Sequence, residues 1–163
     1  MARVSLRLFV LITALLTAGC ADAPRFDQVS AQVPPVDGRA RLFVYRTYDL
    51  SQSLQWVPVS VNGTGIGGVG PGHVVVCYLP PGTYTIDARS EGLWPDQAKT
   101  VAVAAGQDVY AEIGSFEGLD PTDESGAGME STFVVMLEDT AAGRSAIAQL
   151  WYEPCQGLFA PKA

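Results

Sequence analysis

His73-Val-Val-Val-Cys-Tyr-Leu-Pro-Pro-Gly-Thr-Tyr-Thr-Ile-Asp-Ala88 decides the fold. His73–Leu79 is a dense apolar run, the pattern of a strand covered on both faces. Pro80-Pro81-Gly82 then breaks the chain with turn residues. Beyond it, Tyr84, Ile86 and Ala88 alternate with Thr83, Thr85 and Asp87, the period of a half-buried strand.

The same period extends outward on both sides. Ala40, Leu42 and Val44 alternate with Arg39, Arg41 and Phe43, and Val57, Val59 and Val61 with Pro58, Ser60 and Asn62. Val109, Ala111 and Ile113 alternate with Tyr110 and Glu112, and Thr100–Ala104 is a weaker candidate. Thr132–Leu137 is a second dense run and, like His73–Leu79, is expected to be a central strand. Turn signals at Asn62-Gly63 and Ala105-Gly106 separate the segments. About seven short strands of this kind predict a mostly β domain over 38–159, a single antiparallel β-sandwich of Ig-like type. Ala141–Tyr152 places Ile147, Leu150 and Trp151 at helical spacing after a Thr140 N-cap. It predicts a short C-terminal helix that Gly143 weakens, with a final strand as the alternative.

The N-terminus reads as a processing signal. Arg3 and Arg7 precede the apolar run 8–16, which is too short to span a hydrocarbon layer of about 30 Å. Leu16-Thr-Ala-Gly-Cys20 resembles the lipobox of bacterial lipoproteins, with Thr17 where Leu is most common. That resemblance implies cleavage of residues 1–19 and acylation of Cys20. Ala21, rather than Asp, follows the cysteine, which by the same resemblance implies the outer membrane facing the periplasm in a Gram-negative cell. In a Gram-positive cell it implies the outer face of the cell membrane. Residues 20–37, with Pro24, Pro34 and Pro35, read as a lipidated cysteine and flexible tether. At about 3.3 Å per residue, seventeen such residues reach at most roughly 55 Å. In the alternative reading, Val29, Val33 and Val36 pack on the domain as an edge segment.

Composition narrows the function classes. The chain has 163 residues, ten basic and seventeen acidic, for a net charge of −7. Cleavage before Cys20 removes Arg3 and Arg7 and no acid, leaving −9. No nucleic-acid partner is expected from so few cations. Anionic lipid would repel such a chain, so acyl groups are the expected membrane anchor. Hydrophobic residues make up 48% of the chain, enough for a core.

Val59-Ser-Val-Asn-Gly63, the Gly-rich link and Val74–Ile86 together resemble the PEGA-type β-sandwich pattern, and Val101–Tyr110 resembles its next strand, turn and strand. With Gly38–Arg46 and the lipobox, the chain is similar to a bacterial predicted-lipoprotein family of unknown function. The likeness implies a fold and an envelope location but no activity.

Candidate chemistry is sparse. Gly65-Ile-Gly-Gly-Val-Gly70 matches G-x-G-x-x-G, but Pro71-Gly72 follows where a dinucleotide site needs a helix to start. A glycine-permitted turn or bulge is expected, and no cofactor. His73, the single histidine, lies at a strand entrance without a nucleophile motif nearby. Glu117, Asp120, Asp123, Glu124 and Glu130 share a loop but lack calcium-loop spacing, so no metal site is expected. Trp94, in Gly92-Leu-Trp-Pro95, is the best of three tryptophans for a ligand contact. Cys77 and Cys155 remain after acylation of Cys20, an even pair in an exported chain, and a disulfide between them is expected. The expected function is therefore a non-catalytic binding or structural role in the envelope, alongside a protein partner. A glycan- or peptidoglycan-recognition module is the alternative, and an enzyme is not expected.

Overall fold

The computed structural model describes residues 23–50, 54–90, 97–119 and 129–160. Among them, nine strands form two sheets. They are β1 (Ala40–Arg46), β2 (Val57–Val61), β3 (Thr64–Val69), β4 (His73–Leu79), β5 (Gly82–Ala88), β6 (Lys99–Val103), β7 (Asp108–Leu119), β8 (Met129–Glu138) and β9 (Trp151–Pro154). One sheet has the order β8-β7-β1-β4-β9, the other β3-β2-β5-β6. A one-turn helix, α1 (Phe26–Val29), precedes the strands, and α2 (Thr140–Ile147) lies between β8 and β9.

The alternation read from the sequence sets the inter-sheet core. Ala40, Leu42 and Val44 meet Val57, Val59 and Val61, Tyr84, Ile86 and Ala88, and Val109, Ala111 and Ile113 in one buried cluster. Every residue of that alternating set faces inward, as a two-layer sandwich requires. The opposite face of β1 and β4 is also covered. Phe43, Tyr45, Val74, Val76 and Tyr78 form a second cluster with Phe26, Val33, Tyr110, Ile147 and Leu150. β4 is therefore dense because both its faces are buried.

The observed sheets differ from the expected single antiparallel sandwich in several respects. Two pairings are parallel: β1 with β7, from Arg41↔Asp108 to Tyr45↔Glu112, and β4 with β9, from His73↔Trp151 to Val76↔Pro154. In both cases the chain reaches its partner from the other sheet or from a helix rather than through a hairpin. Two strands lie beyond the seven expected: β3, and β9, which realises the final-strand alternative after a shorter helix. β3 is the Gly-rich link, joined to β2 by the Asn62-Gly63 turn with both φ positive, 49° and 75°. The bulge expected of that glycine run is there: the β2–β3 register shifts between Val59 and Ser60, opposite Gly67 with φ 118°. β8 is an edge strand, not a central one. Its inner side chains, Phe133 and Val135, are buried nonetheless, and the Val135 amide donates to the Gln97 carbonyl at 3.4 Å.

The C-terminal helix stops five residues short of the expected Tyr152. Its N-cap is Asp139, not Thr140: the Asp139 carboxylate accepts from the Ala141 and Ala142 amides at 2.9 and 3.0 Å. Ile147 and Leu150 are buried as the spacing implied, but Trp151 opens β9, donating its amide to the Gly72 carbonyl at 2.8 Å.

The 20–37 segment departs most from expectation. From Pro24 onward it is docked rather than a free tether. Val29 and Val33 are buried as the edge-segment alternative has it, joined by Phe26 of the helical turn, whereas Val36 is exposed. Arg25 pairs antiparallel with Trp151, Tyr152 donates its amide to the Pro24 carbonyl at 2.8 Å, and the Tyr78 hydroxyl donates to the Pro34 carbonyl at 2.8 Å. The segment thereby covers the exposed edge of β9.

Candidate functional site

A cleft of about 320 Å³ opens on the outer face of the five-stranded sheet, between α1 and α2. Its floor is Phe43 and Tyr110, opposed in the parallel β1–β7 register, with rings stacked 4.8 Å apart at 8°. Phe26 meets Phe43 edge-on at 5.6 Å from the α1 side, and Ile147 and Ala148 form the α2 side. α2 approaches this closely because residue 143 is glycine. A Cβ there would stand 2.3 Å from Cγ and 2.5 Å from Cβ of Tyr110.

The rim is ionic. Arg41 grips Asp108 with two bonds, Nε to Oδ1 at 2.8 Å and Nη2 to Oδ2 at 2.7 Å, and its Nη1 donates to the Val33 carbonyl at 2.8 Å. This one guanidinium thus joins β1, β7 and the docked N-terminal segment. Arg144 lies 3.8 Å from the same carboxylate and its side chain is 70% exposed. Because Arg41 already occupies both Asp108 oxygens, Arg144 has donor capacity left for solvent or a ligand. Asp27 accepts from Gln149 Nε2 at 2.8 Å. An apolar floor with a cationic side chain at the mouth suits a ring or branched apolar group carrying an anionic substituent. The volume is at the small end of ligand sites, which run to about 300–1,000 Å³.

A second feature lies at the end of the same sheet where β1 leaves and β4 and β9 begin. Tyr48, Leu50, Leu54 and Trp56, all in the β1–β2 connection, are 64%, 77%, 59% and 54% exposed. Trp56 lies against Gly70, where a Cβ would stand 2.7 Å from its Cε2, so only glycine admits the indole in this pose. Its ring centroid is 4.6 Å from that of His73. Tyr48 rests on Gly72 of the same turn. Arg46, buried at 1% exposure, holds the connection by donating to the Gln55 carbonyl at 2.5 Å, and desolvation lowers its pKa from the ordinary arginine value.

The sequence-predicted residues distribute as follows. Cys77 and Cys155 are joined, with Cα atoms 5.0 Å apart. Cys20 and Trp94 lie outside the described residues, as do Asp120, Asp123 and Glu124. Glu117 and Glu130 are strand positions in the β7–β8 hairpin rather than loop residues. His73 Nδ1 is 2.9 Å from the Pro71 carbonyl, and its Nε2 is 4.0 Å from Glu153. Trp151 is covered by the Arg25 guanidinium, 3.6 Å from its ring centroid. Among the described residues, no group of three or more His, Cys, Asp or Glu side chains is placed to hold a metal. Reading the inner face alone missed the cleft. Its signal was aromatic residues in the polar phase of the alternation, Phe43 and Tyr45 in β1 and Tyr110 in β7.

Compared with protein-family models, curated proteins and solved structures, the chain matches none.

Proposed function

We propose that the chain is an envelope lipoprotein, anchored by lipid on Cys20, whose β-sandwich serves a non-catalytic binding role. The observation that carries the reading is the Cys77–Cys155 disulfide, which joins the interior strand β4 to the residue that follows β9. Such bonds persist in oxidising compartments outside the cytosol, and the apolar run 8–16 with Leu16–Cys20 is the matching export and lipidation signal. In a Gram-negative cell the location is the outer membrane facing the periplasm. The partner is an envelope protein that places an apolar or aromatic side chain in the cleft and an acidic group near Arg144.

Cell fractionation tests the anchor. The Cys20→Ser variant is expected in the soluble fraction, and equal membrane retention of variant and wild type overturns the reading. A photo-crosslinking residue at Ser30, on the cleft wall, tests the binding role in cells. A discrete conjugate that disappears with Arg144→Glu is expected, and absence of any conjugate counts against the cleft.

A further inference from the structure

We infer that segment 24–36 is a releasable strap that builds one wall of the cleft, so that occupancy of the cleft and the length of the lipid tether control each other. The inference rests on the cleft and the lipid anchor proposed above and adds the element that connects them. Phe26, Asp27 and Ser30 of the segment line the cleft beside Phe43 and Tyr110. Arg41 joins the two, gripping Asp108 on the rim while donating to the Val33 carbonyl of the segment at 2.8 Å. Release of the segment removes the edge-on contact of Phe26 with Phe43 and leaves the stacked floor open on that side. An occupant that touches both walls therefore binds the docked form better, and by linkage it holds the strap down. At 100 times its dissociation constant, an occupant that binds only the docked form lowers the released fraction about 100-fold.

The strap can leave without unfolding the sandwich. The inter-sheet cluster begins at Ala40 and contains none of its residues. Phe26 and Val33 belong instead to the outer cluster. One bridge, Arg25↔Trp151, one helical turn and one 3-10 turn are its regular structure among the described residues. The Cys77–Cys155 bond holds β9 beside β4 whether or not the strap is docked. Segments attached in this way open as separate units ahead of global unfolding. The hinge lies just after the strap: Gly38 has φ 74°, and a Cβ there would meet nothing within 4 Å. Beyond it Arg39 is fixed to the sandwich, its carbonyl accepting from the Gly106 amide at 2.8 Å.

Docking sets the reach of the anchor. With the strap docked, the free chain from Cys20 ends at Pro24, whose carbonyl accepts from the Tyr152 amide. That is 24 − 20 = 4 residues, at most about 13 Å. With the strap released, the free chain ends at Arg39, 39 − 20 = 19 residues, at most about 63 Å. Filling the cleft shortens the average tether, and losing the occupant lengthens it.

The register supplies a lock for the test. The Phe26 amide donates to the Leu150 carbonyl and the Tyr152 amide to the Pro24 carbonyl, each at 2.8 Å. Arg25 and Trp151 between them are thus a non-hydrogen-bonded antiparallel pair, with Cα atoms about 4.5 Å apart, within the span of a disulfide. Val29 and Val33 are buried in the strap but do not line the cleft, so Val29→Ser/Val33→Ser loosens the strap without removing a ligand contact.

The full mature protein is reconstituted into phosphatidylcholine vesicles carrying dansyl-labelled phosphatidylethanolamine, with 3-phenylpropionate as the probe of the cleft. In the wild type, bound probe should slow amide hydrogen exchange across 24–36 and leave that of β4 unchanged. In Val29→Ser/Val33→Ser, protease should cut the strap, probe affinity should fall at least tenfold, and energy transfer from the domain's tryptophans to the labelled lipid should fall. Adding Arg25→Cys/Trp151→Cys should restore both when the new pair is oxidised and lose both when it is reduced. An uncut strap in the serine variant, wild-type probe affinity in a cut one, unchanged energy transfer, or strap exchange indifferent to bound probe overturns the inference and leaves the cleft and the anchor standing. A wild type that does not bind 3-phenylpropionate overturns the cleft reading together with the inference. Protein without lipid on Cys20 overturns the anchor together with the inference.

Discussion

Cys77 and Cys155 occupy the register position immediately after Val76↔Pro154 in the parallel pairing of β4 with β9. Both are buried, at 0% and 4% exposure, and the bond between them fastens the edge strand β9 to its neighbour β4. Their 78-residue separation makes the cross-link a strong constraint on the unfolded chain, worth about 4–5 kcal/mol in the loop-entropy model. Cys77→Ala/Cys155→Ala should lose stability of that order in urea. The denatured, unreduced wild type should take up no thiol reagent at these two positions. Labelling of both, or an unchanged urea midpoint in the double variant, would contradict the bond's role.

Gly143→Ala sets two effects against each other. Alanine in a helix interior is favoured over glycine by about 1 kcal/mol. The added Cβ would stand 2.5 Å from Tyr110 Cβ, an atom fixed by strand β7 that no side-chain rotation can move. Overpacking of this kind costs about 1–3 kcal/mol, and the whole helix must shift to relieve it. Net destabilisation is expected in thermal melts. A stabilised variant would mean that α2 does not sit on Tyr110 as described.

Burial raises the pKa of Tyr45, first through desolvation and then through Glu112, Glu138 and Asp139. Desolvation also raises Tyr78 and Tyr152. A tyrosine whose folded pKa exceeds its unfolded value of about 10 stabilises the fold fully below that pH. Above it the unfolded chain loses the proton first, so stability falls as pH rises toward the folded pKa. Tyr45 alone contributes a slope of about 1.4 kcal/mol per pH unit in that window. Urea midpoints measured between pH 9 and 11 should decline, and less steeply in Tyr45→Phe. Equal slopes would show that Tyr45 is not buried as a neutral phenol.

Arg41→Lys keeps the charge and loses the two-pronged grip on Asp108 together with the bond to Val33. Hydrogen bonds to charged groups contribute about 1.5–3 kcal/mol, and lysine cannot reproduce the planar fork. The docked segment 24–36 should then be cut sooner by protease while the sandwich remains intact. Unchanged cleavage would mean that Phe26 and Val33 alone hold the segment.

The inter-sheet core was legible because the period-two alternation of 40/42/44, 57/59/61, 84/86/88 and 109/111/113 is set by local backbone geometry. Pairing direction was not, because β1–β7 and β4–β9 join segments distant in the chain and no local pattern encodes which edge they choose. The short strand β9 was legible only as the alternative, because the spacing of Leu150 and Trp151 after Ile147 also fits a helix. The docking of 24–36 was legible only as the alternative reading, because its prolines broke any period. Its evidence was the isolated apolar residues Phe26, Val29 and Val33 together with aromatic residues on the outer face of β1. The glycine run was recognised as backbone punctuation, but its closeness to Trp56 required the folded chain. Cys20 and Trp94 lie outside the described residues, so both stand on the sequence alone.

The most direct test of the account is the mass of the N-terminal tryptic peptide of the native protein taken from membranes. Cleavage after Arg25 is expected to release Cys20-Ala-Asp-Ala-Pro-Arg25, beginning at the cysteine and carrying the added mass of its acyl groups. A peptide that extends upstream of Cys20, or one that begins at Cys20 without lipid, would contradict the claim that this sandwich is a lipid-anchored envelope protein.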